Sequence, residues 1–254
     1  MSAAATPGRE GLGLEPVRPL ALKERVIQQL TRLIEEGALK PGDQLPSERE
    51  LSDELQVSRG TVREAVQFLG ALGLVEVRHG LGTFVRAGSD PSRLRDEWKD
   101  WTIRHADRVH DLLELRKGLE SFAAELAAAR GSAQELAAMA EALDEMQAAD
   151  GSPDVTVLIQ VDVAFHHALC AAAGNAALSE FADALGEQLV RERGVIWNLP
   201  GRLGRSLAEH EAIYEAVRAG DPGRARKAVF EHLTSVEVDL GDSVLSPRES
   251  TKKG

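Results

Sequence analysis

Three histidines and one aspartate are the residues of this 254-residue chain whose types and spacing best suit joint chemistry. Asp162 and His166 stand four positions apart in the stripe Val155, Leu158, Ile159, Asp162, Phe165, His166 and Leu169, which recurs at helical spacing and turns both to one apolar side. His210 shares a second stripe with Leu207, Ile213, Tyr214 and Val217, and His232 a third with Ala225, Val229, Leu233 and Val236. Four polar groups on three helices therefore face the same core. A buried carboxylate is costly unless paired, and a divalent cation is the simplest way to make such a set tolerable. Aspartate with three neutral imidazoles suits Zn²⁺ first, with Ni²⁺ or Mn²⁺ as alternatives, and leaves positions open for a further ligand if the ion is five- or six-coordinate. Each histidine taken alone also fits a hydrogen-bonded core side chain. The set of four is what points to a metal.

Arg116 adds a second clue. It lies on the stripe Val109, Leu112, Leu113, Arg116, Leu119 and Ala123, so a guanidinium is aimed at the core and needs an anion. Glu120, one turn later, would supply one within the helix; a small carboxylate held between the arginine and the metal would supply the other. An open metal position could also activate water for hydrolysis, but Glu209, the nearest candidate base, is adjacent to His210 and so points off the ligand face. His167, His105 and His110 fit no such set, and Asn175 after Gly174 reads as a helix cap.

The elements that must hold these groups are helices. From about Asp107 to about Leu240 the pattern is helical, broken at Gly131-Ser132, Gly151-Ser152-Pro153, Gly174-Asn175, Leu199-Pro200-Gly201 and Gly220-Asp221-Pro222. About six helices with short loops make an antiparallel all-α bundle. The expected fold class is mainly α, an N-terminal winged helix-turn-helix followed by this bundle.

The N-terminal part is spelled by residues 45–67. Ser47 and Glu50 form a capping box that starts a helix continued by Leu51 and Leu55. Val57 fills a three-residue turn, and Ser58 caps a second helix with Val62, Ala65, Val66 and Leu69 on its apolar face and Arg59 and Arg63 on the other. Arginines at the start of such a helix can enter the major groove and donate two hydrogen bonds to guanine. Gly73 ends that helix. Leu74, Val75 and Val77, then Arg78-His79-Gly80-Leu81-Gly82 and Thr83-Phe84-Val85, read as a hairpin wing, and Leu22, Val26, Ile27, Leu30, Leu33 and Ile34 as a preceding helix. The domains are expected at 20–86 for the winged domain and 107–242 for the bundle, with a linker at 87–106 and disordered tails at 1–19 and 243–254.

The phrases Leu45-Pro46-Ser47-Glu48-Arg49-Glu50-Leu51, Val57-Ser58-Arg59 and Val62-Arg63-Glu64-Ala65 resemble the GntR superfamily of bacterial transcription regulators. The series Asp162-x-x-x-His166, Gly174-Asn175, Glu209-His210, Gly220-Asp221 and His232 resembles the ligand-binding FCD domain of its FadR subgroup, in the version that binds a metal. This resemblance, which spans about Leu20 to Leu240, implies a homodimer on an operator with an inverted repeat. It places Arg49, Ser58, Arg59, Thr61, Arg63, His79 and Gly80 at the DNA, Asp162, His166, His210 and His232 at the metal, and Arg116 at an effector. Gly60 departs from the Thr or Pro frequent in relatives. The implied function is a repressor controlled by a small organic acid; a regulator with a sensed or purely structural metal is the alternative, and a metal-dependent hydrolase the rival of another class.

Charge agrees once it is divided. The net charge is −11, of which residues 1–86, with 11 basic and 12 acidic side chains, carry −1, and the remainder −10. DNA contact must then be local, with the acidic bulk repelling DNA elsewhere. A single cysteine, Cys170, excludes a disulfide framework and suits a reducing compartment. No uninterrupted apolar run suggests a bilayer span, so the expected location is cytoplasmic.

Overall fold

The computed structural model describes residues 19–86, 91–149, 152 and 154–245, which hold eleven helices and one two-stranded sheet. In the winged domain α1 (Pro19–Glu35), α2 (Glu48–Leu55) and α3 (Arg59–Leu72) precede the hairpin β1 (Val75–Arg78) and β2 (Gly82–Val85). The capping box forms as expected, with Glu50 Oε2 accepting from the Ser47 N–H at 2.8 Å. The three-residue turn is Gln56-Val57-Ser58, and Gln56 takes the left-handed conformation (φ 54°) while its N–H closes the helix end on Ser52. Ser58 Oγ caps α3 by accepting from the Thr61 N–H, and Val62, Ala65 and Leu69 are fully buried against α1. The wing is antiparallel, with Val75 opposite Val85 and Arg78 opposite Gly82.

The bundle consists of α5 (Ala106–Arg130), α6 (Ala133–Ala148), α7 (Val155–Ala172), α8 (Ala176–Gln188), α9 (Val190–Trp197), α10 (Arg202–Arg218) and α11 (Pro222–Leu245). Helix α7 is its buried axis. By length and composition it is the one helix among the described residues apolar enough to cross a membrane, but two thirds of it is buried inside the protein and it carries Asp162 and His166. Cys170 is a buried core residue on the same helix.

Two features differ from the sequence reading. The stretch expected to be a linker contains α4 (Pro91–Arg104), a helix that packs on α9. The fourth bundle helix is split at Leu189 into α8 and α9, where the Leu189 N–H donates to Gly186 O and no proline stands. Of the expected tails, 1–18 and 246–254 lie outside the described residues, as do linker residues 87–90.

Helices α4 and α9 join the two domains. Trp98 Nε1 donates to Leu72 O at 2.8 Å and Arg191 Nε donates to Ala71 O at 3.0 Å, so two carbonyls in the last turn of α3, which no helical N–H could satisfy, are capped from outside the winged domain. Trp98 reaches this position because Gly194 has no side chain: a Cβ there would lie 2.2 Å from the indole. Gly194→Ala should therefore destabilise the protein by about 1–3 kcal/mol, the usual cost of overpacking. Urea unfolding of the two proteins checks this, and an unchanged midpoint would contradict the packing.

Candidate metal centre and nucleic-acid interface

Helix α7 contributes Asp162 and His166, α10 contributes His210 and α11 contributes His232, all at 5% exposure or less. The three imidazoles converge. His210 Nε2 lies 3.2 Å from both His166 Nε2 and His232 Nε2, and Asp162 Oδ1 lies 3.7 Å from His166 Nε2 and 3.8 Å from His210 Nε2. A tetrahedral ion with metal–nitrogen bonds of 2.0–2.1 Å would set its nitrogens about 3.3 Å apart. Three nitrogen lone pairs at this spacing repel one another unless a cation or shared proton lies between them, so the donor set fits a divalent metal. Such an ion would supply a Lewis acid with room for a further ligand.

Three of the four groups have a polar partner on the side away from the cluster, the arrangement a metal ligand usually has. His232 Nδ1 is 2.7 Å from Glu209 Oε2, which leaves Nε2 as the free lone pair. His166 Nδ1 is 2.7 Å from Glu120 Oε2, poorly aligned for a hydrogen bond. Asp162 Oδ2 accepts from Arg193 Nε at 2.9 Å. His210 Nδ1 meets only the thioether of Met146, at 3.2 Å, and its ring stacks on Phe165. Burial, with the neighbouring imidazoles, pushes His210 well below its ordinary range, and burial likewise brings His232 down to about 4 against the opposing pull of Glu209. Both rings are neutral at pH 7, as ligands must be. Burial opposes the charge of Asp162, but His166, Arg193 and Arg116 outweigh it and hold the carboxyl below its usual value.

Arg116 makes the intrahelical pair: its Nε donates to Glu120 Oε1 at 2.7 Å. Yet its Nη2, buried, has no partner. Glu192 Oε1 and Oε2 and Arg202 Nε are in the same condition, and all three residues line one recess together with Asp162, His232 and Ser206. The recess is about 10 Å³, room for roughly one water. Sequence reasoning missed Arg193, Glu192 and Arg202. Arg193 and Glu192 sit in the short α9, where no periodic stripe marks an inward face, and Arg202 opens α10 as an ordinary basic residue would. Glu209 does point off the ligand face, as expected, and orients His232 from behind. Asn175 caps α8, and His167 pairs with Asp183.

In the winged domain Arg59 is exposed at the start of α3, and the guanidinium of Arg63 grips Glu48 of α2, with Nη2 2.7 Å from Oε2. Arg49 is exposed, 4.0 Å from Asp53. Ser58 spends its hydroxyl on capping, and Thr61 is buried with its hydroxyl 2.8 Å from that of Ser58. His79 and Gly80 (φ 74°) form the exposed wing tip.

Residues 22–85 match the profile described as bacterial regulatory proteins, gntR family, and residues 111–235 match the FCD domain. The chain is 36% identical to the HTH-type transcriptional regulator LutR of Bacillus subtilis over 81% of this chain and 94% of that protein. It is 33% identical to the HTH-type transcriptional repressor NanR of Salmonella newport over 87% of each. Among solved structures, Escherichia coli McbR/YncC shares the fold, with a TM-score of 0.51 at 23% identity over 86% of this chain and 96% of that one.

Glu192 yields a test of the buried cluster. Burial, helped by the charge of Asp162, raises its carboxyl from 4.5 to about 7 against the pull of Arg193 and Arg116. A raised carboxyl contributes stability that is complete below pH 4.5 and lost as pH rises through about 7. Glu192→Gln, neutral throughout, should gain on the wild type by a margin that grows from pH 5 to pH 8, up to about 3 kcal/mol at 1.36 kcal/mol per unit. Chemical denaturation across that range measures it; parallel pH curves for the two proteins would show that Glu192 does not ionise at a cost.

Proposed function

The chain belongs to the gntR family of bacterial regulatory proteins and carries an FCD domain, and from that premise we propose that it is a cytoplasmic, homodimeric repressor whose grip on its operator is set by a small organic acid bound beside a metal. That it is a DNA-binding transcription regulator, and no hydrolase, follows from the family. The effector reading rests on one observation: buried next to three converging imidazoles, Arg116 Nη2, Arg202 Nε and both oxygens of Glu192 are unpartnered. A carboxylate answers the two guanidinium donors, and a hydroxyl on the same molecule answers Glu192. The metal, Zn²⁺ before Ni²⁺ or Mn²⁺, adds positive charge on the same side.

The narrowness of the recess gives the mechanism. An acid larger than water enters only if α9 or α10 moves outward. Helix α9 holds Asp162 through Arg193 and the end of the recognition helix through Arg191, so a shift of α9 is passed to Ala71 and changes how the winged domain sits on the bundle. Arg59 and Arg63 read the major groove, with Arg63 exchanging Glu48 for a base, while Arg49 reaches phosphate and the His79-Gly80 tip enters the minor groove. Ser58 and Thr61 shape the start of α3 more than they touch bases. The same narrowness favours a second reading, in which the metal only braces the bundle and no acid binds.

Dimerisation has a surface to use. Leu115 and Phe122 on α5 lie beside Val238 and Phe230 on the antiparallel α11, all four about half exposed or more. An apolar strip of this kind on two adjacent helices suits a two-fold contact. A protein that is monomeric at micromolar concentration by light scattering would contradict it.

The deciding experiment is a fluorescence titration of the operator, an inverted repeat, with metal-loaded protein, with and without glycolate, L-lactate, malate or succinate. At least one acid should change the operator Kd by about 5–150-fold, the usual span of allosteric coupling. His210→Ala with His232→Ala should lose the metal by elemental analysis and lose that response, and Arg63→Ala should weaken operator binding by about 1–3 kcal/mol in either state. If metal loading alone produces the full change and no acid adds to it, the second reading holds.

A further inference from the structure

A cavity lies at the seam of the two domains, on the other side of His166 and Arg193 from the recess described above. It measures about 490 Å³, within the range of small-molecule sites. Its roof is the recognition helix, through Gln67, Phe68 and Ala71; its floor is α7, through Gln160, Val163 and Ala164, and α8 closes the side at Ala182. One buried polar group among the lining residues stands out. Gln160 is 4% exposed, and neither its Oε1 nor its Nε2 has a hydrogen-bond partner. A buried carboxamide without partners is costly, and nearly all such groups in folded proteins are satisfied.

We propose that this seam cavity is a second ligand site, for a neutral or cationic small molecule with an apolar body and a planar amide-type edge. The edge follows from Gln160, whose carboxamide offers one acceptor beside one donor and is matched by a molecule presenting a donor beside an acceptor. Charge disfavours an acid. With Arg193 engaged by Asp162 and Gly186 O, Glu120 by Arg116, and Asp183 by His167, the lining leaves the carboxylates of Glu64 and Glu187 against the cation of Lys23. The apolar body follows from Phe68, Val163, Ala164 and Ala182. This site is distinct in charge from the one proposed for the effector and stands without it. Its occupant would touch the recognition helix directly, and would touch Glu120 on the far side of His166.

Three molecules of one size separate the features. Benzamide carries a donor and an acceptor, acetophenone an acceptor only, and benzoate an anion. Calorimetric titration of the full-length, metal-loaded protein should show one benzamide site per protomer, at least about fivefold tighter than acetophenone or benzoate, the worth of one net hydrogen bond. Gln160→Leu should erase that preference. Ala182→Phe, which fills the cavity from α8 and leaves Gln160 in place, should abolish benzamide binding, and both variants should keep the wild-type metal content. No saturable benzamide binding, equal binding of acetophenone, or a preference that survives Gln160→Leu would each overturn the proposal, the first by leaving the cavity to water alone.

Discussion

The carboxylate of Asp162 is the point on which the bundle turns. One of its oxygens faces the imidazoles of His166 and His210, and the other accepts from Arg193. A charge at 5% exposure survives in an apolar core only if every side of it is answered. The answer is distributed over α5, α7, α9, α10 and α11, because Glu120 with Arg116 supports His166, and Glu209 with Arg202 supports His232. Each helix brings a group that is tolerable only in the presence of the others, so the polar centre dictates how the five helices align more specifically than their interchangeable Ala, Leu and Val contacts could.

Helix α9 shows how little structure is needed to join this centre to the DNA-reading half. Successive residues on a helix diverge by about 100°, so Arg191, Glu192 and Arg193 point three ways from two turns of chain. Arg191 reaches a carbonyl at the end of α3, Glu192 enters the recess, and Arg193 grips Asp162. The open carbonyls of the last turn of α3 are thereby turned into an attachment point, with Trp98 of α4 holding the next one. Helix α3 is anchored at the end opposite Arg59 and Arg63, so its start stays exposed.

The charge layout fits the same division of labour. Residues 87–254 carry net −10 beside a nearly neutral N-terminal part, which under the proposed reading leaves DNA contact to a few arginines. Arg63 rests on Glu48, an exposed pair of small stabilising value.

The sequence by itself determined everything that depends on local periodicity and local capping. The winged motif was legible because Ser47, Glu50 and Ser58 satisfy N–H groups within three residues of themselves, and the convergence of Asp162, His166, His210 and His232 was legible because each sits on an apolar stripe of period 3.6 that can face only a core. The expectation of a linker at 87–106 and of a single fourth helix went astray where local signals are weak: α4 is folded against α9, and the chain breaks at Leu189, three residues after a lone Gly186. Tertiary structure alone decided that Arg193 answers Asp162 across 31 positions, that Gly194 makes room for Trp98, that Arg116 keeps one free donor beside Glu120, and that Gln160 faces a cavity roofed by α3. The physical reason is common to all four. Which face of a helix is buried follows from the order of its own residues, whereas which partner a buried polar group meets depends on the distance and register between helices, and those are set by packing over the whole fold.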